Sequence, residues 1–481
     1  MILGGDPTKP YDAVFVNAPL KDYDFQPRHN DFTLPVLGLG YIATFAASCG
    51  HNVGVLDAEA NGLGPRSIAA AINSVKPRWV GFNLLAPTYH LAVRTAQLLD
   101  SSIAVLVGGH QAKAMPFQIL SDNAFPRIDA LILGEGEYRT EAILRDYDIR
   151  GHLPGVMFRS QSGEVVTATQ REPTTHQGSW TAPDINALPF VDRTYFVQDP
   201  FRSSTGVLES NIVGSRGCPY DCSFCGAAKS ANPDITIRTR TPANLIAELE
   251  SLNAAFTVTA FRFVDDLFLA NLNFMKKCLP QFIECGIGRR FQWDATGRIN
   301  VLAKADESMF ELMKQAGCRE VALGIESGSE RVLGYIDKHV TPDMTLKAVD
   351  RLTSHGIGVK GYIIMGFPTE TYSELMETYE HVQKLWKIAD RNIGTFRCSV
   401  FEFRPYPGTP EWERLIRSGR YTEADLLNYE HVDLTAGGSA QALLDRDEFN
   451  FSVNIQFGET PLSRIRELLT DLTCKQKSRL L

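Results

Sequence analysis

The sequence lacks a long hydrophobic run: no apolar stretch approaches the roughly 18 residues that a membrane span needs. Its first twenty residues carry no basic segment before an apolar one, so we expect no secretory signal and a cytoplasmic location. An excess of positive charge is also missing: the net charge is −8 at pH 7, which disfavours a nucleic-acid backbone as partner. With 44% hydrophobic and 22% charged residues, the composition is that of a globular protein, and we expect no membrane partner.

Paired cysteines are scarce as well. The chain has nine cysteines, and only three of them cluster. An odd, scattered set is not a disulfide framework. Because free cysteine is among the most often buried residue types, we expect the others to pack in the core. These are Cys49, Cys278, Cys285, Cys318, Cys398 and Cys474.

The N-terminal part of the chain alternates short apolar runs with helical patterns. Such runs are typical of parallel strands that helices cover on both faces. The predicted strands are Ala13–Asn17, Asn52–Leu56, Trp79–Leu84, Ala104–Val107 and Ala130–Leu133. Five such strands with right-handed crossovers predict a flavodoxin-like, doubly wound α/β domain over residues 1–150.

A second series of βα units follows a connector at residues 151–205, which contains a short hairpin. The predicted strands are Asn211–Gly214, Ala260–Val264, Phe291–Ala295, Glu320–Ile325, Val359–Met365 and Cys398–Phe403. Six units predict a partial (β/α)6 TIM-type barrel over residues 206–410, with its chemistry at the C-terminal ends of the strands. Residues 411–481 predict a small, mainly helical region that ends in an amphipathic helix over Pro461–Cys474.

The three clustered cysteines follow the first barrel strand in a CxxxCxxC pattern, as Cys218, Cys222 and Cys225. Three thiolates on one loop can hold three irons of a [4Fe–4S] cluster and leave the fourth iron open for chemistry. The alternative is a zinc site completed by a histidine. Its usual second Cys-x-x-Cys pair is missing, and no histidine lies within 25 residues of the loop.

This loop, followed by a barrel pattern, resembles the radical S-adenosylmethionine (SAM) superfamily. The resemblance implies that SAM chelates the open iron, and that one electron from the cluster cleaves SAM to a 5′-deoxyadenosyl radical. It also implies an electron donor such as flavodoxin or ferredoxin. Phe224 matches the aromatic position that packs against adenine.

Other strand ends match the same family. Asp265 and Asp266 stand where the family places polar groups for the methionine amine, and Gly366 lies in a segment like the glycine motif beside adenine. Glu326 and Ser327 resemble the segment that meets the ribose and carboxylate, and Lys338 is a candidate partner for that carboxylate. Asp266 and Glu402 are candidate contacts to a polar substrate.

The N-terminal domain resembles the cobalamin-binding domain of B12-dependent radical SAM enzymes. The resemblance rests on Pro35–Tyr41 (PVLGLGY) and on the loops Gly108-Gly109-His110 and Gly134-Glu135-Gly136-Glu137. The residues that it implies for cobalamin are Leu37, Gly38, Thr88, Gly108, Gly109, His110, Gly134, Glu135, Gly136 and Glu137. For any single one of these strand-end loops, the alternative is that its residues only form a turn and bind no ligand. Nor is there a dinucleotide fingerprint, because GxGxxG is missing after the first strand.

One departure concerns the lower face of cobalt. Many cobalamin domains supply a histidine from a DxHxxG loop, but no Asp stands two residues before His29 and no Gly three after it. This resembles the radical branch, in which the protein gives cobalt no histidine. We therefore expect His29 not to bind cobalt, and His110 to touch the edge of the corrin.

The leading hypothesis is a cobalamin-dependent radical methyltransferase that acts on an unactivated carbon of a small polar substrate, such as a natural product. The alternative keeps the radical step without methyl transfer: dehydration or deoxygenation, epimerisation or cyclisation, with cobalamin in another role or absent. A third class, a non-catalytic cobalamin sensor, is opposed by the intact cysteine triad. For both cofactors to act on one substrate, the binding edges of the two domains must face each other.

Overall fold

The structure is a computed structural model of the 481-residue chain. It describes residues 1–28, 33–160, 162–168, 178–179, 182–202, 206–233, 237–432 and 451–480; His29 lies outside these ranges. The chain divides into two compact units. The first contains Met1–Asp199 and two short later segments, and the second contains Pro200–Ser230, Ile237–Pro405 and Thr409–Leu481.

The first unit is built on a seven-stranded sheet. The strands of this sheet, in the order in which they lie side by side, are Val53–Asp57, Ala13–Asn17, Trp79–Asn83, Ala104–Gly108, Ala130–Ile132, Val156–Arg159 and Val165–Thr167. When the strands are numbered along the chain, the first five are parallel and lie side by side in the order 2-1-3-4-5. This is the flavodoxin-like order, and it confirms the predicted fold class. The hairpin expected in the connector instead extends this sheet, because Val156 and Met157 pair antiparallel with Ile132 and Leu131.

Helices cover both faces of this sheet, as its apolar strands require. They are Leu37–Ser48, Ala58–Asn61, Pro65–Val75, Tyr89–Ala96, His110–Ala114, Pro116–Ser121 and Glu137–Arg145. One core cluster joins the strand residues Phe15, Val55 and Trp79 to Leu39 and Ile143 on two of these helices. The packing fixes the positions of the strand ends, where the predicted ligand loops lie.

The second unit contains the predicted half-barrel, a second sheet of seven strands. Phe201–Arg202 pairs antiparallel with the first barrel strand. Barrel strands one to six are Leu208–Ile212, Ala260–Phe263, Gln292–Gly297, Cys318–Glu326, Gly358–Met365 and Phe396–Glu402, all parallel. The six strand predictions are therefore confirmed to within a few residues, and the chemistry-bearing segments follow their C-terminal ends.

Helices connect these strands, and three of them start at a Thr-Pro pair. Thr241, Thr341 and Thr409 each accept a hydrogen bond from a backbone N–H of the first turn, and proline stands at the first helical position. This is a favourable helix start, because proline there loses no intrahelical hydrogen bond. The longer helices are Pro242–Phe256, Leu272–Glu284, Glu307–Gln315, Pro342–Ser354, Tyr372–Ala389, Pro410–Arg417 and Leu462–Leu480. Shorter ones are Ile287–Arg290, Ile299–Leu302, Glu330–Tyr335 and Glu423–Leu426.

The C-terminal helix Leu462–Leu480 packs against the sixth barrel strand, the last strand of the sheet. Arg466 donates to the Glu402 carboxylate (Nε–Oε2 2.8 Å), and the Cys398 N–H donates to Gln476 (2.8 Å). The Ser452 hydroxyl also donates to Glu402. Covering the strand with a helix protects an edge that could otherwise pair with another chain.

Replacing Arg466 by methionine should lower the free energy of unfolding by about 2 kcal/mol, because it removes the cation from a buried carboxylate. Glu402 is only 4% exposed. The matched control is Arg464→Met on the same helix, whose ion pair with Glu467 is exposed and should contribute little. Urea unfolding followed by circular dichroism measures both variants. Equal midpoints for the two would contradict this account of the helix.

The expectation that the six scattered cysteines are core residues is wrong for three of them. Cys278 and Cys318 are buried and Cys398 is partly buried, whereas Cys49, Cys285 and Cys474 are exposed. Cys49 and Cys285 follow the last residues of helices, where the chain turns outward, so helical periodicity does not predict their burial.

Within the described ranges, none of the helices combines the length and the apolar character needed to cross a membrane.

Candidate functional site

The cysteine loop follows the first barrel strand and folds by its own backbone hydrogen bonds. The Cys225 N–H donates to the Cys222 carbonyl (3.1 Å), and the Ala228 N–H donates to the Cys225 carbonyl (3.0 Å). Gly217 allows the chain to enter the loop at φ +87°, a conformation that glycine adopts readily. Cys222 is buried, while Cys218 and Cys225 are partly buried.

Segments beyond the fourth and sixth strands hold this loop in place. The Ser223 N–H donates to the Ile336 carbonyl (3.0 Å), and the Ser223 carbonyl accepts the Glu411 N–H (2.8 Å). The Tyr335 hydroxyl donates to the Glu411 carboxylate (2.7 Å). The loop is therefore fixed by the barrel on both sides.

Two buried cations flank the thiols. Arg298 Nη1 lies 3.4 Å from Cys222 Sγ, and Lys338 Nζ lies 5.8 Å from the centre of the Phe224 ring. Burial raises the pKa of the Cys225 thiol to about 12, so the thiol is protonated until a metal replaces the proton. Positive charge beside the loop favours the thiolate form that iron requires.

The donor set fits a [4Fe–4S] cluster. In such a cluster each thiolate binds a different iron, so the three sulfur atoms need not converge on one point. A zinc ion needs convergent ligands. Across the described ranges, no three or more His, Cys, Asp or Glu side chains lie close enough to hold a single ion.

The predicted aspartates follow the second strand. The Gly214 N–H donates to Asp265 Oδ1 (2.6 Å), and burial raises the pKa of Asp265 to about 7. Its Oδ2 is buried and has no hydrogen-bond partner among the described residues. After burial itself, the Asp266 charge helps to raise the pKa of Cys218, which places the Asp266 carboxylate near the cysteine loop.

Glu326 ends the fourth strand in an uncommon backbone conformation, with φ +62°. Its carboxylate accepts a hydrogen bond from Lys338 (2.5 Å), and both side chains are buried. The Ser327 hydroxyl is hydrogen-bonded to Thr378 (2.9 Å) on the long helix behind the strand. The structure therefore brings Glu326 and Lys338 together, while the Ser327 hydroxyl is already engaged.

Gly366 ends the fifth strand at φ +95°. Its N–H donates to Glu370 Oε2 (2.7 Å), as does that of Phe367 (3.1 Å). The Phe367 ring packs edge-on against Phe224 at 5.5 Å between centroids. Phe224 on the cysteine loop and the glycine motif after strand five thus lie side by side.

Sequence reasoning missed three residues of this site: Arg298, Tyr220 and Glu370. Arg298 follows directly after the third strand, and Glu370 comes four residues after Gly366. The rule that strand ends carry the chemistry points to Arg298, because no candidate residue was assigned to the end of the third strand. Glu370 lies beyond the glycine motif of the fifth strand, and no sequence signal singles it out. Glu402, a predicted substrate contact, is bound to Arg466 of the C-terminal helix, and its contact to a substrate stays a prediction.

In the first unit, the predicted cofactor loops lie at the ends of the parallel strands. Gly38 is exposed in the first turn of its helix, and a Cβ there would meet no atom within 4 Å. Gly109 has φ +94°, and a Cβ there would lie 2.4 Å from Asn83 Oδ1. His110 is exposed, and Gln111 Oε1 is buried with no hydrogen-bond partner in the described part of the chain. Open backbone and an unsatisfied amide oxygen fit a large, amide-rich ligand such as cobalamin.

The other predicted residues of this edge differ in exposure. Leu37, Thr88 and Glu137 are buried, and the partly buried ones are Gly108, Gly134, Glu135 and Gly136. The loops after Ala13–Asn17 and Val53–Asp57 are hydrogen-bonded to each other, since the Leu20 N–H donates to the Glu59 carboxylate (2.7 Å). The backbone left for a ligand is therefore at the helix start and at the loops after strands three to five.

Comparison with known proteins identifies both units. Residues 212–382 match the family model of the radical SAM superfamily, and residues 30–144 match that of the B12 binding domain. The chain is 28% identical over 409 residues to an uncharacterised methyltransferase of Pyrococcus horikoshii, covering 83% of each chain. It is 27% identical over 397 residues to the anaerobic magnesium-protoporphyrin IX monomethyl ester cyclase of Rubrivivax gelatinosus, covering 77% of this chain and 68% of that one.

Among solved structures, the radical SAM methyltransferase TsrM of Kitasatospora setae, with cobalamin and a [4Fe–4S] cluster bound, matches with a TM-score of 0.60. Identity is 18%, with 89% of this chain and 78% of that chain covered, so this likeness supports the fold. The two domains imply a [4Fe–4S] cluster, SAM and cobalamin as cofactors. The chain therefore belongs to the radical SAM enzymes that carry a B12-binding domain.

Proposed function

We propose that this enzyme transfers a methyl group to an unactivated carbon of a small polar substrate. The observation that carries the proposal is the presence in one chain of a three-cysteine loop at the barrel strand ends and a B12-binding domain. When bound, the cluster supplies the electron that cleaves SAM, and cobalamin supplies the methyl group. An uncharacterised methyltransferase that aligns over 83% of this chain supports methyl transfer as the type of reaction.

The protein's own part is to bind and orient. Cys218, Cys222 and Cys225 would hold the cluster, and Phe224 beside Phe367 offers an aromatic surface for adenine. The Lys338 ammonium, beside Phe224 and bonded to Glu326, is suited to hold an anionic group of SAM. Asp266 would meet the amine of SAM or a cationic group of the substrate.

In the first unit, Gly38, Gly109 and Gly134 would leave the backbone open to cobalamin. The buried residues Leu37, Thr88 and Glu137 would support that edge from beneath. A flavodoxin or ferredoxin would deliver the electron.

The second candidate is a radical reaction without methyl transfer, such as dehydration or deoxygenation, epimerisation or cyclisation. The specific observation in its favour is the cyclase of Rubrivivax gelatinosus, which aligns over 77% of this chain. The cysteine loop serves either reaction equally. The two candidates therefore differ in the fate of the methyl group of SAM.

The test needs no knowledge of the substrate. Protein reconstituted anaerobically with iron, sulfide and hydroxocobalamin is reduced and given SAM with a deuterated methyl group. We expect the deuterated methyl on cobalamin by mass spectrometry, together with S-adenosylhomocysteine. Protein prepared without cobalamin is the control. Formation of 5′-deoxyadenosine with no label on cobalamin and no S-adenosylhomocysteine would favour the second candidate.

A further inference from the structure

Arg298 occupies an unusual position for a charged side chain. It follows the third barrel strand and is 6% exposed. One guanidinium nitrogen lies 3.4 Å from Cys222 Sγ, and the other terminal nitrogen donates to the Lys338 carbonyl. The guanidinium carbon lies 3.9 Å from the centre of the Tyr220 ring, two residues before Cys222.

Among the described residues, no carboxylate forms an ion pair with Arg298. Within the described ranges the Arg298 side chain has contacts only to sulfur, to a carbonyl and to an aromatic ring, and its Nε is buried with no hydrogen-bond partner. Burying an unpaired charge is costly, so a buried arginine usually has an anionic partner. Thiolates of a bound cluster, beginning with Cys222, would provide that negative charge.

We propose that Arg298 is a positioning residue that orients the Cys222 thiolate and raises the reduction potential of the cluster. The inference rests on the proposed cluster at Cys218, Cys222 and Cys225. The step concerned is the transfer of one electron from the external donor to the oxidised cluster. The reduced cluster carries one more negative charge, so a fixed cation beside it stabilises the reduced form more. Hydrogen bonds to cluster sulfurs act in the same direction.

The geometry favours arginine over lysine at this position. A planar guanidinium can stack on the Tyr220 ring while it donates to Cys222 and to the Lys338 carbonyl in two directions. A lysine ammonium is a point charge without a flat face, so it would keep the charge and lose the stacking. Arg298 thus connects the cysteine loop to the segment after the fourth strand.

The test is a redox titration of the full-length protein loaded with its cluster, followed by the electron paramagnetic resonance of the reduced cluster. In Arg298→Gln we expect the equilibrium constant for reduction to fall about tenfold, which is a potential about 59 mV lower. In Arg298→Lys the reduction potential of the cluster should also fall, but by less. Arg289→Gln, an exposed arginine in the same unit, is the matched control and should not shift.

Iron content is measured beside each titration. An unchanged potential in Arg298→Gln with full iron content would overturn the inference. If Arg298→Gln fails to assemble the cluster, the same redox titration is made on Tyr220→Leu, which removes the ring on which Arg298 stacks. A lowered potential there supports the inference, and an unchanged one overturns it. Wild-type protein without any cluster would overturn the proposed function as well, which separates the two failures.

Discussion

The variant in which Cys218, Cys222 and Cys225 are all replaced by alanine should bind no iron–sulfur cluster and form no 5′-deoxyadenosine above background. The three thiols lie on one loop, and the other cysteines are scattered over the chain, so nothing replaces the lost ligands. The fold should remain, because backbone hydrogen bonds through Ser223 hold the loop to the barrel. Iron and sulfide analysis, chromatography of the SAM products and circular dichroism measure the three properties.

Cys285→Ala is the matched control for the triple variant. Cys285 belongs to the same unit but is exposed and distant in sequence from the loop, so its loss should change neither iron content nor product. A triple variant that still formed 5′-deoxyadenosine under reducing conditions would refute the assignment of the cluster ligands.

Gly109→Ala should reduce the affinity for cobalamin at least about tenfold. Gly109 has φ +94° and ψ −178°, a region of backbone space that is open essentially only to glycine and costs other residues about 1–3 kcal/mol. A Cβ would also lie 2.4 Å from Asn83 Oδ1 and 2.8 Å from the Leu84 carbonyl. To avoid these contacts, the loop after strand Ala104–Gly108 would have to move away from the end of strand Trp79–Asn83.

Gly151→Ala is the control for this variant, because a Cβ there meets no atom within 4 Å and needs no positive φ. Equilibrium dialysis against hydroxocobalamin measures the affinity. Iron content should stay unchanged, since the three cysteines belong to the other unit. If Gly109→Ala kept the cobalamin affinity of the wild type, the loop after strand Ala104–Gly108 would not be part of the cobalamin site.

The sequence predicted the sheets better than it predicted the uses of polar side chains. Strands buried on both faces leave uninterrupted apolar runs, and Ala13–Asn17 has the bounds predicted for it. Strand ends then follow from strand positions, which is how Asp266 was predicted as a site residue. Lys338 lies twelve residues beyond the end of its strand, and only the family resemblance indicated it. The hairpin beginning at Val156 was read as a connector, because antiparallel pairing onto an existing sheet depends on a distant partner strand.

Side-chain partners depend on contacts between residues far apart in the chain. Glu402 is 64 residues from Arg466, and Arg298 is 76 residues from Cys222. No local sequence pattern indicates that Glu402 holds the C-terminal helix through Arg466, or that Arg298 faces the Cys222 thiol. The exposed Cys49 and Cys285 show the same limit, since residue type predicts burial only on average.

The expectation that cobalt receives no protein histidine stays a prediction, since His29 lies outside the described ranges. Electron paramagnetic resonance of the Co(II) state would show coupling to an imidazole nitrogen if either His29 or His110 were a ligand. His110 is exposed at the start of its helix and remains the better candidate for a contact to the edge of the corrin.

The measurement that tests the central claim most directly is metal analysis of the reconstituted wild-type protein, combined with assay of SAM cleavage. The account predicts about four iron and four sulfide per chain, the number in one cluster. It also predicts 5′-deoxyadenosine only when a reductant is present. Protein that holds one zinc ion in place of the cluster and leaves SAM intact under the same reducing conditions would contradict it.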